Sequence, residues 1–202
     1  MSVYKACVLS TLLYGSETWT TYSHQERRLN SFHLRCIRRI LNITWRDKVS
    51  NSEILTKANV PSIHALLTHR RLRWLGHVAR MEDGRIPKDI LYGQIPVGSR
   101  HVGRPMLRFT DVCKRDLMAA EIEVNTWESA AADRTSWRRR IRAGTIISDS
   151  NRFDNWKQKK DKQNERKHLN LSSNYKCRKC NRDCHSRIGL HSHNRRCYDQ
   201  AL

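Results

Sequence analysis

The chain has 202 residues, and its 39 Lys+Arg against 19 Asp+Glu leave a net charge of +20, with 38% hydrophobic residues. Charge on that scale points to a polyanionic partner, and six Trp, six Tyr and three Phe are more large rings than a solvated tail carries. The longest apolar stretch, Ala6 to Tyr14, is broken by Ser10 and Thr11 and falls far short of the roughly 20 residues of a membrane span, so no membrane partner is expected.

Residues 2–143 read as a run of helices, and a mostly α fold is expected. The first, about Val3 to Trp19, is apolar on most sides and is predicted to be buried. The apolar stretch Ala6 to Tyr14, with Lys5 ahead of it, faintly imitates a secretory signal, but no small-residue cleavage site follows Gly15-Ser16, so a nuclear or cytoplasmic protein is expected rather than a secreted one. A second helix opens at Ser23, with Glu26 three residues on completing a capping box. At about 100° per residue, Leu29, Phe32, Cys36, Ile37, Ile40 and Leu41 form its packed face, while Arg27, Arg28, Arg35, Arg38 and Arg39 form a basic ridge.

A short helix over about Ser52 to Ala58 precedes a long one that starts at Pro61-Ser62 and reaches about Met81. Leu67, Trp74, Leu75, Val78 and Met81 share its core arc, and Arg70, Arg73, His77 and Arg80 make a second basic ridge. Glycines and prolines then punctuate a connecting region, in which Ser99 to Pro105 reads as an exposed basic loop. Two more helices are predicted, about Met106 to Ala120 and Thr126 to Arg142, the last ending in Trp137-Arg138-Arg139-Arg140-Ile141-Arg142. Trp74, Trp127 and Trp137 are expected as core anchors and Cys7, Cys36 and Cys113 as small buried hydrophobes.

Apolar periodicity stops over 144–174, where the run from Lys157 to Lys167 is almost wholly polar and charged; a charged, solvated linker or lone surface helix is expected. Residues 175–202 form a separate small unit. Of the seven cysteines, Cys177, Cys180, Cys184 and Cys197 crowd into it, which suits a metal site better than a disulfide framework. Cys177-x2-Cys180-x12-His193-x3-Cys197 has the ligand spacing of a ββα zinc finger with cysteine for the last histidine. A tight knuckle presents two thiolates while two ligands one helical turn apart present their heads to the same point, closing a tetrahedral Zn²⁺ site. Tyr175 and Leu190 sit where such a finger builds its small core. Cys184 stands where a large apolar residue is usual, so a ligand set drawing on Cys184, His185 or His191 is the alternative. The positions that read bases in finger helices fall on Ser186, Gly189 and Ser192, none able to make a bidentate base contact. Seven basic residues, Arg187, Arg195 and Arg196 among them, face only Asp183 and Asp199 in this unit, so phosphate contact is expected over base reading.

Leu12-Leu13-Tyr14-Gly15-Ser16-Glu17-Thr18-Trp19, then Arg73-Trp74-Leu75-Gly76-His77-Val78-Ala79-Arg80-Met81, Gly103-Arg104-Pro105, and Ala132-Asp133-Arg134 before Trp137-Arg138 occur in an order that resembles the end of a LINE-type non-LTR retrotransposon polyprotein, downstream of the reverse-transcriptase palm. The resemblance covers about residues 2–143, and Cys177 to Cys197 resembles the finger with which such proteins often end. It implies a thumb-like helical segment that grips template and primer. The family's polymerase needs an aromatic-x-Asp-Asp motif, and no adjacent Asp-Asp occurs here, so no enzymatic activity is expected. The chain is expected to be a truncated open reading frame whose Met1 is an internal methionine or a gene-model start.

The expected function is binding of RNA or DNA through phosphates by Arg35, Arg39, Arg70, Arg73, Arg80, Arg138, Arg139, Arg140, Arg187, Arg195 and Arg196. Alternatives are a protein-interaction finger, a non-functional relic, or a residual metal-dependent nuclease using Asp89, Asp111 and Asp116.

Overall fold

The computed structural model describes residues 1–93, 101–171, 175–184 and 186–199. Ser99 and Arg100 of the expected basic loop, and His185 of the alternative ligand set, lie outside them. Helices dominate, with one two-stranded antiparallel sheet near the C-terminus. Two compact units are formed, Met1–Asn151 and Arg152–Leu202.

The first unit begins differently from expectation. One long buried helix was predicted; instead α1 joins a π-helical Tyr4–Leu9 to a short Ser10–Leu12, and Gly15, at φ +67°, turns the chain into a 3-10 turn at Ser16–Thr18. Only a glycine enters that left-handed region without strain, which is why the helix ends there. Tyr4, Leu9 and Leu13 are buried, whereas Val3, Val8, Cys7 and Tyr14 are exposed, so an apolar segment is covered on one side alone.

Helix α2 (Ser23–Ile40) starts at the expected place with another cap: the Tyr22 N–H donates to Gln25 Oε1 at 2.9 Å, and Glu26 turns inward. Phe32 and Ile40, placed by the wheel on the packed face, are about half exposed, because the helix buries only a narrower stripe through Glu26, His33, Leu34 and Ile37. Helix α3 (Asn51–Ala58) and α4 (Ile63–Ala79) each open on a serine cap; Ser50 Oγ accepts the Glu53 N–H at 3.3 Å and Ser62 Oγ the Ala65 N–H at 3.1 Å.

Helix α4 organises this unit. It packs against the Ser16–Thr18 turn, α2, α5 (Ile86–Tyr92), α6 (Phe109–Ala119) and α7 (Trp127–Ala132). Its Leu72 and Leu75 join Cys113, Leu117, Ala120, Ala131, Trp137 and Ile141 in one apolar cluster. Helix α5 was read as loop; Pro87 in its first turn is compatible with a helix start, where a missing N–H costs nothing.

The final predicted helix divides at Asp133. Its carboxylate accepts the N–H groups of Thr135 at 3.1 Å and Ser136 at 2.8 Å, so α8 (Arg134–Leu171) starts afresh there. Helix α8 continues far past Arg142, through the segment without apolar periodicity. Lys, Gln, Glu and Arg are good helix formers even on a fully solvated surface, and Lys160 lies over the Trp156 ring at 5.2 Å one turn earlier. Gly144 presses on the Ala120 backbone, leaving no room for a Cβ.

A polar knot sits inside the first unit. Arg71, 1% exposed, donates from Nε to Asp116 Oδ2 at 2.6 Å and from Nη1 to Thr21 Oγ1 at 3.2 Å, and Thr21 Oγ1 donates to Glu26 Oε1 at 2.8 Å. His64 Nδ1 lies 3.0 Å from Glu26 Oε2 and Arg115 Nη2 3.1 Å from Glu26 Oε1. Burial would raise the Glu26 carboxyl, but its bonds with His64 and Thr21 and the Arg71 charge hold it down to about 2. The buried charges are tolerated because each carboxylate oxygen of Glu26 and Asp116 faces a hydrogen-bond donor or a guanidinium group.

Candidate functional site

The second unit places its small ββα module on the order predicted from the cysteine spacing. Strands β1 (Tyr175–Lys176) and β2 (Asp183–Cys184) pair antiparallel, Tyr175 opposite Cys184. Between them, the Cys177 N–H donates to Arg182 O and the Asn181 N–H to Cys177 O, both at 3.0 Å, with Asn181 left-handed at φ +57°. This knuckle turns Cys177 and Cys180 to one side. Ser186 then caps α9 (Arg187–Asp199), its Oγ accepting the Gly189 N–H at 3.0 Å.

Helix α9 brings His193 and Cys197 up to the knuckle. The ligand atoms of Cys177, Cys180, His193 and Cys197 all lie within 4.8 Å of one another, and Cys180 Sγ is 3.0 Å from His193 Nε2. Tetrahedral bonds of about 2.3 Å set ligand atoms a little under 4 Å apart, so these four can close on one ion with small shifts. Backbone N–H groups of Cys180 and Lys179 draw the Cys177 thiol down to about 6, while burial, and then the neighbouring Cys180 and Cys177 sulfurs, push Cys197 up. Three thiols and an imidazole are a donor set suited to a tetrahedral, borderline-soft dication such as Zn²⁺. Among the described residues this is the one Cys/His/Asp/Glu group with such geometry, and neither Cys184 nor His191 belongs to it. Cys184 is half-buried on β2, paired with Tyr175.

Of the predicted base-reading positions, Ser192 is exposed and the other two offer a base little. Ser186 holds its hydroxyl at the helix cap and Gly189 has no side chain, while Arg187, Arg195 and Arg196 are exposed on α9.

In the first unit, the candidate arginines do not form one surface. Arg70, Arg73, Arg80 and Arg138 come together in a groove of about 610 Å³, with Arg134, His69, His77, Trp74, Trp137, Leu66 and Glu17 also lining it. Arg134 and Glu17 were missed by the sequence reading; the Asp133 cap beside Arg134 is the signal that could have placed it at a helix start. Arg70 Nη1 donates to Leu13 O at 2.6 Å and Arg80 Nη1 to Ala131 O at 2.5 Å, so these two arginines also tie the groove walls together. Burial, followed by the charges of Arg134 and Arg138, lowers the Arg80 guanidinium from its ordinary value. Burial and then Arg73, Arg142 and Arg70 lower His69 in the same way.

Arg35 instead lines a separate depression on α2 with His24, Arg27, Arg28, Ser31 and Phe32. Arg39, Arg139 and Arg140 are exposed outside both, since successive residues of a helix fan out by about 100° and a run such as Arg138-Arg139-Arg140 cannot share a face. Of the three expected tryptophan anchors, Trp137 is 1% exposed in the core and Trp127 packs against it; Trp74 is half-buried and lines the groove. Cys113 is buried as expected, Cys36 is half-buried and Cys7 is exposed.

The acids considered for a nuclease have structural partners or none. Asp116 is tied to Arg71, Asp111 Oδ2 accepts the Arg108 N–H at 3.0 Å at the start of α6, and Asp89 is exposed. No helix among the described residues is long and apolar enough to cross a membrane.

Comparison with known proteins adds an origin. No protein-family model matches the chain, and no solved structure matches it. The chain is similar to an uncharacterized transposon-derived protein of Caenorhabditis elegans, 28% identical over 155 residues, in an alignment that takes in 73% of this chain and 56% of that protein, so it spans little more than half that relative's length.

Proposed function

We propose that this chain is a nucleic-acid-binding, zinc-binding part of a LINE-type retrotransposon reverse transcriptase, downstream of the polymerase palm, and that it performs no bond-making or bond-breaking itself. The observation that carries the reading is the Cys177, Cys180, His193 and Cys197 cluster, closed by a helix on which Arg187, Arg195 and Arg196 are all exposed. A transposon-derived relative supports it, as does the order of short motifs along the first unit.

In this reading the four ligands hold Zn²⁺, which supplies folding free energy to a unit too small to bury a sufficient core. The arginines contact phosphates. With Ser186 engaged in the helix cap and Gly189 bare, sequence preference is weak and RNA and DNA are both bound. A salt titration of the intact, zinc-loaded chain against unrelated single-stranded and duplex oligonucleotides tests this. Binding that weakens steeply with salt and little with sequence is expected; absence of binding, or a flat salt dependence, overturns the reading.

A further inference from the structure

We infer that the groove between α4 and the start of α8 is a single-strand site, in which an unstacked base lies on Trp74 while Arg73, Arg134 and Arg138 hold the flanking phosphates. The inference rests on the nucleic-acid reading above and goes beyond it by naming the site and the form of the strand.

The groove is built by a close helix approach. Gly76 of α4 has no side chain, and the Trp137 indole of α8 occupies the space a Cβ would need, donating from Nε1 to Leu72 O at 3.1 Å. That joint sets Arg134 and Arg138, one turn apart on α8, beside the strip of α4 that carries Arg73 and Trp74. Arg73, Arg134 and Arg138 are exposed and make no side-chain hydrogen bond or ion pair among the described residues, while Glu17 is the one carboxylate lining the groove. Five arginines against the Glu17 carboxylate leave the groove with an excess of positive charge that an anion relieves; burial first, and then Arg134 and Arg138, lower the Arg80 guanidinium, with Asp133 opposing them.

Charge alone would fit a duplex as well as a single strand; the aromatic ring decides between them. Trp74 lies in the groove with its ring centroid 5.3 Å from that of His77, the two tilted by 52°. Bases in a duplex hide their faces in the stack, so only a single strand or a frayed end can offer one to an indole. A groove of about 610 Å³ falls within the range of about 300–1,000 Å³ typical of clefts for small ligands. It therefore has room for a nucleotide or two.

The test measures anisotropy of a labelled single-stranded oligonucleotide and of a blunt duplex with the intact chain, comparing wild type with Trp74→Ala, Trp74→Phe and Arg73→Ala/Arg138→Ala, each checked for helicity by circular dichroism. Trp74→Ala is expected to weaken single-strand binding by about 5- to 150-fold with the duplex little changed. Trp74→Phe keeps most of the affinity because a ring is restored, which a merely structural role for Trp74 would not distinguish by strand form. The double arginine variant weakens single-strand binding and flattens its salt dependence. Wild-type binding with no single-strand-selective loss in Trp74→Ala overturns the groove assignment alone. Failure of the wild type to bind either oligonucleotide overturns the nucleic-acid reading itself.

Discussion

Trp137 rests on Gly76: the indole fills the place of the missing Cβ and hydrogen-bonds one turn back to Leu72 O. This contact joins the central helix to α8 and explains why a glycine interrupts the otherwise large residues of Leu75-Gly76-His77. Gly76→Ala must displace the ring, and is expected to cost about 1–3 kcal/mol in chemical denaturation. Trp137→Phe, which loses the buried hydrogen bond and part of the ring, is expected to be destabilising as well. An unchanged midpoint in Gly76→Ala would mean that the two helices do not approach so closely.

The buried knot around Arg71 should make stability acid-sensitive. Glu26 has a folded-state value near 2, below the ordinary 4.5, so the folded state binds its proton less tightly than the unfolded state does. Its stabilisation is complete above about pH 4.5 and is lost as pH falls toward 2; it amounts to about 3 kcal/mol. Glu26→Gln should lower stability at neutral pH and flatten the profile in that window. Urea midpoints of both proteins between pH 7 and pH 3 check this, and parallel profiles would contradict it.

One Zn²⁺ per chain is expected by elemental analysis. Cys177→Ser and His193→Ala each remove one of four ligands and should release the ion together with the structure of the ββα unit. Cys184→Phe should retain it, because Cys184 lies opposite Tyr175 and outside the cluster. Metal loss in Cys184→Phe would show that the ligand set is another one.

Affinity for single strands should fall with salt at a log–log slope near −3.5 if about five phosphates are contacted. Replacing Arg73, Arg134 and Arg138 by Ala should flatten it by about two units. These three are better probes than Arg70 and Arg80, whose guanidinium groups also tie down Leu13 O and Ala131 O. Ser186→Ala should cost about 1 kcal/mol through its lost cap, with little change in sequence preference.

Purified protein is expected to neither extend a primed RNA template nor cut nucleic acid with Mg²⁺ or Mn²⁺ present, since two-metal chemistry needs paired carboxylates and the sequence has no adjacent Asp-Asp. Activity that follows the protein peak through repurification would overturn this expectation.

Local rules were enough for much of the chain. The spacing of Cys177, Cys180, His193 and Cys197 brings the four together because a knuckle and a helical turn fix where those side chains point, whatever the rest of the chain does. Ser50, Ser62 and the apolar period of α4 likewise act over a few residues. Periodicity alone misplaced Phe32 and Ile40 and overextended the first helix past Gly15, and over 144–174 it left linker and surface helix open, of which the structure has a helix continuous with the one before; helix propensity does not need an apolar face.

What the sequence by itself determined is therefore the helical character, the basic charge and the four residues that could hold a metal ion, all of which follow from composition and short-range spacing. Only the tertiary structure decided which arginines share a groove, that Arg71 is buried between Glu26 and Asp116 while Arg70 and Arg73 beside it line the groove, and that Trp74 leaves the core for its wall. Those assignments depend on which helix lies against which face of α4. That is settled by contacts between residues far apart in the chain, such as Gly76 with Trp137, and no local pattern encodes them.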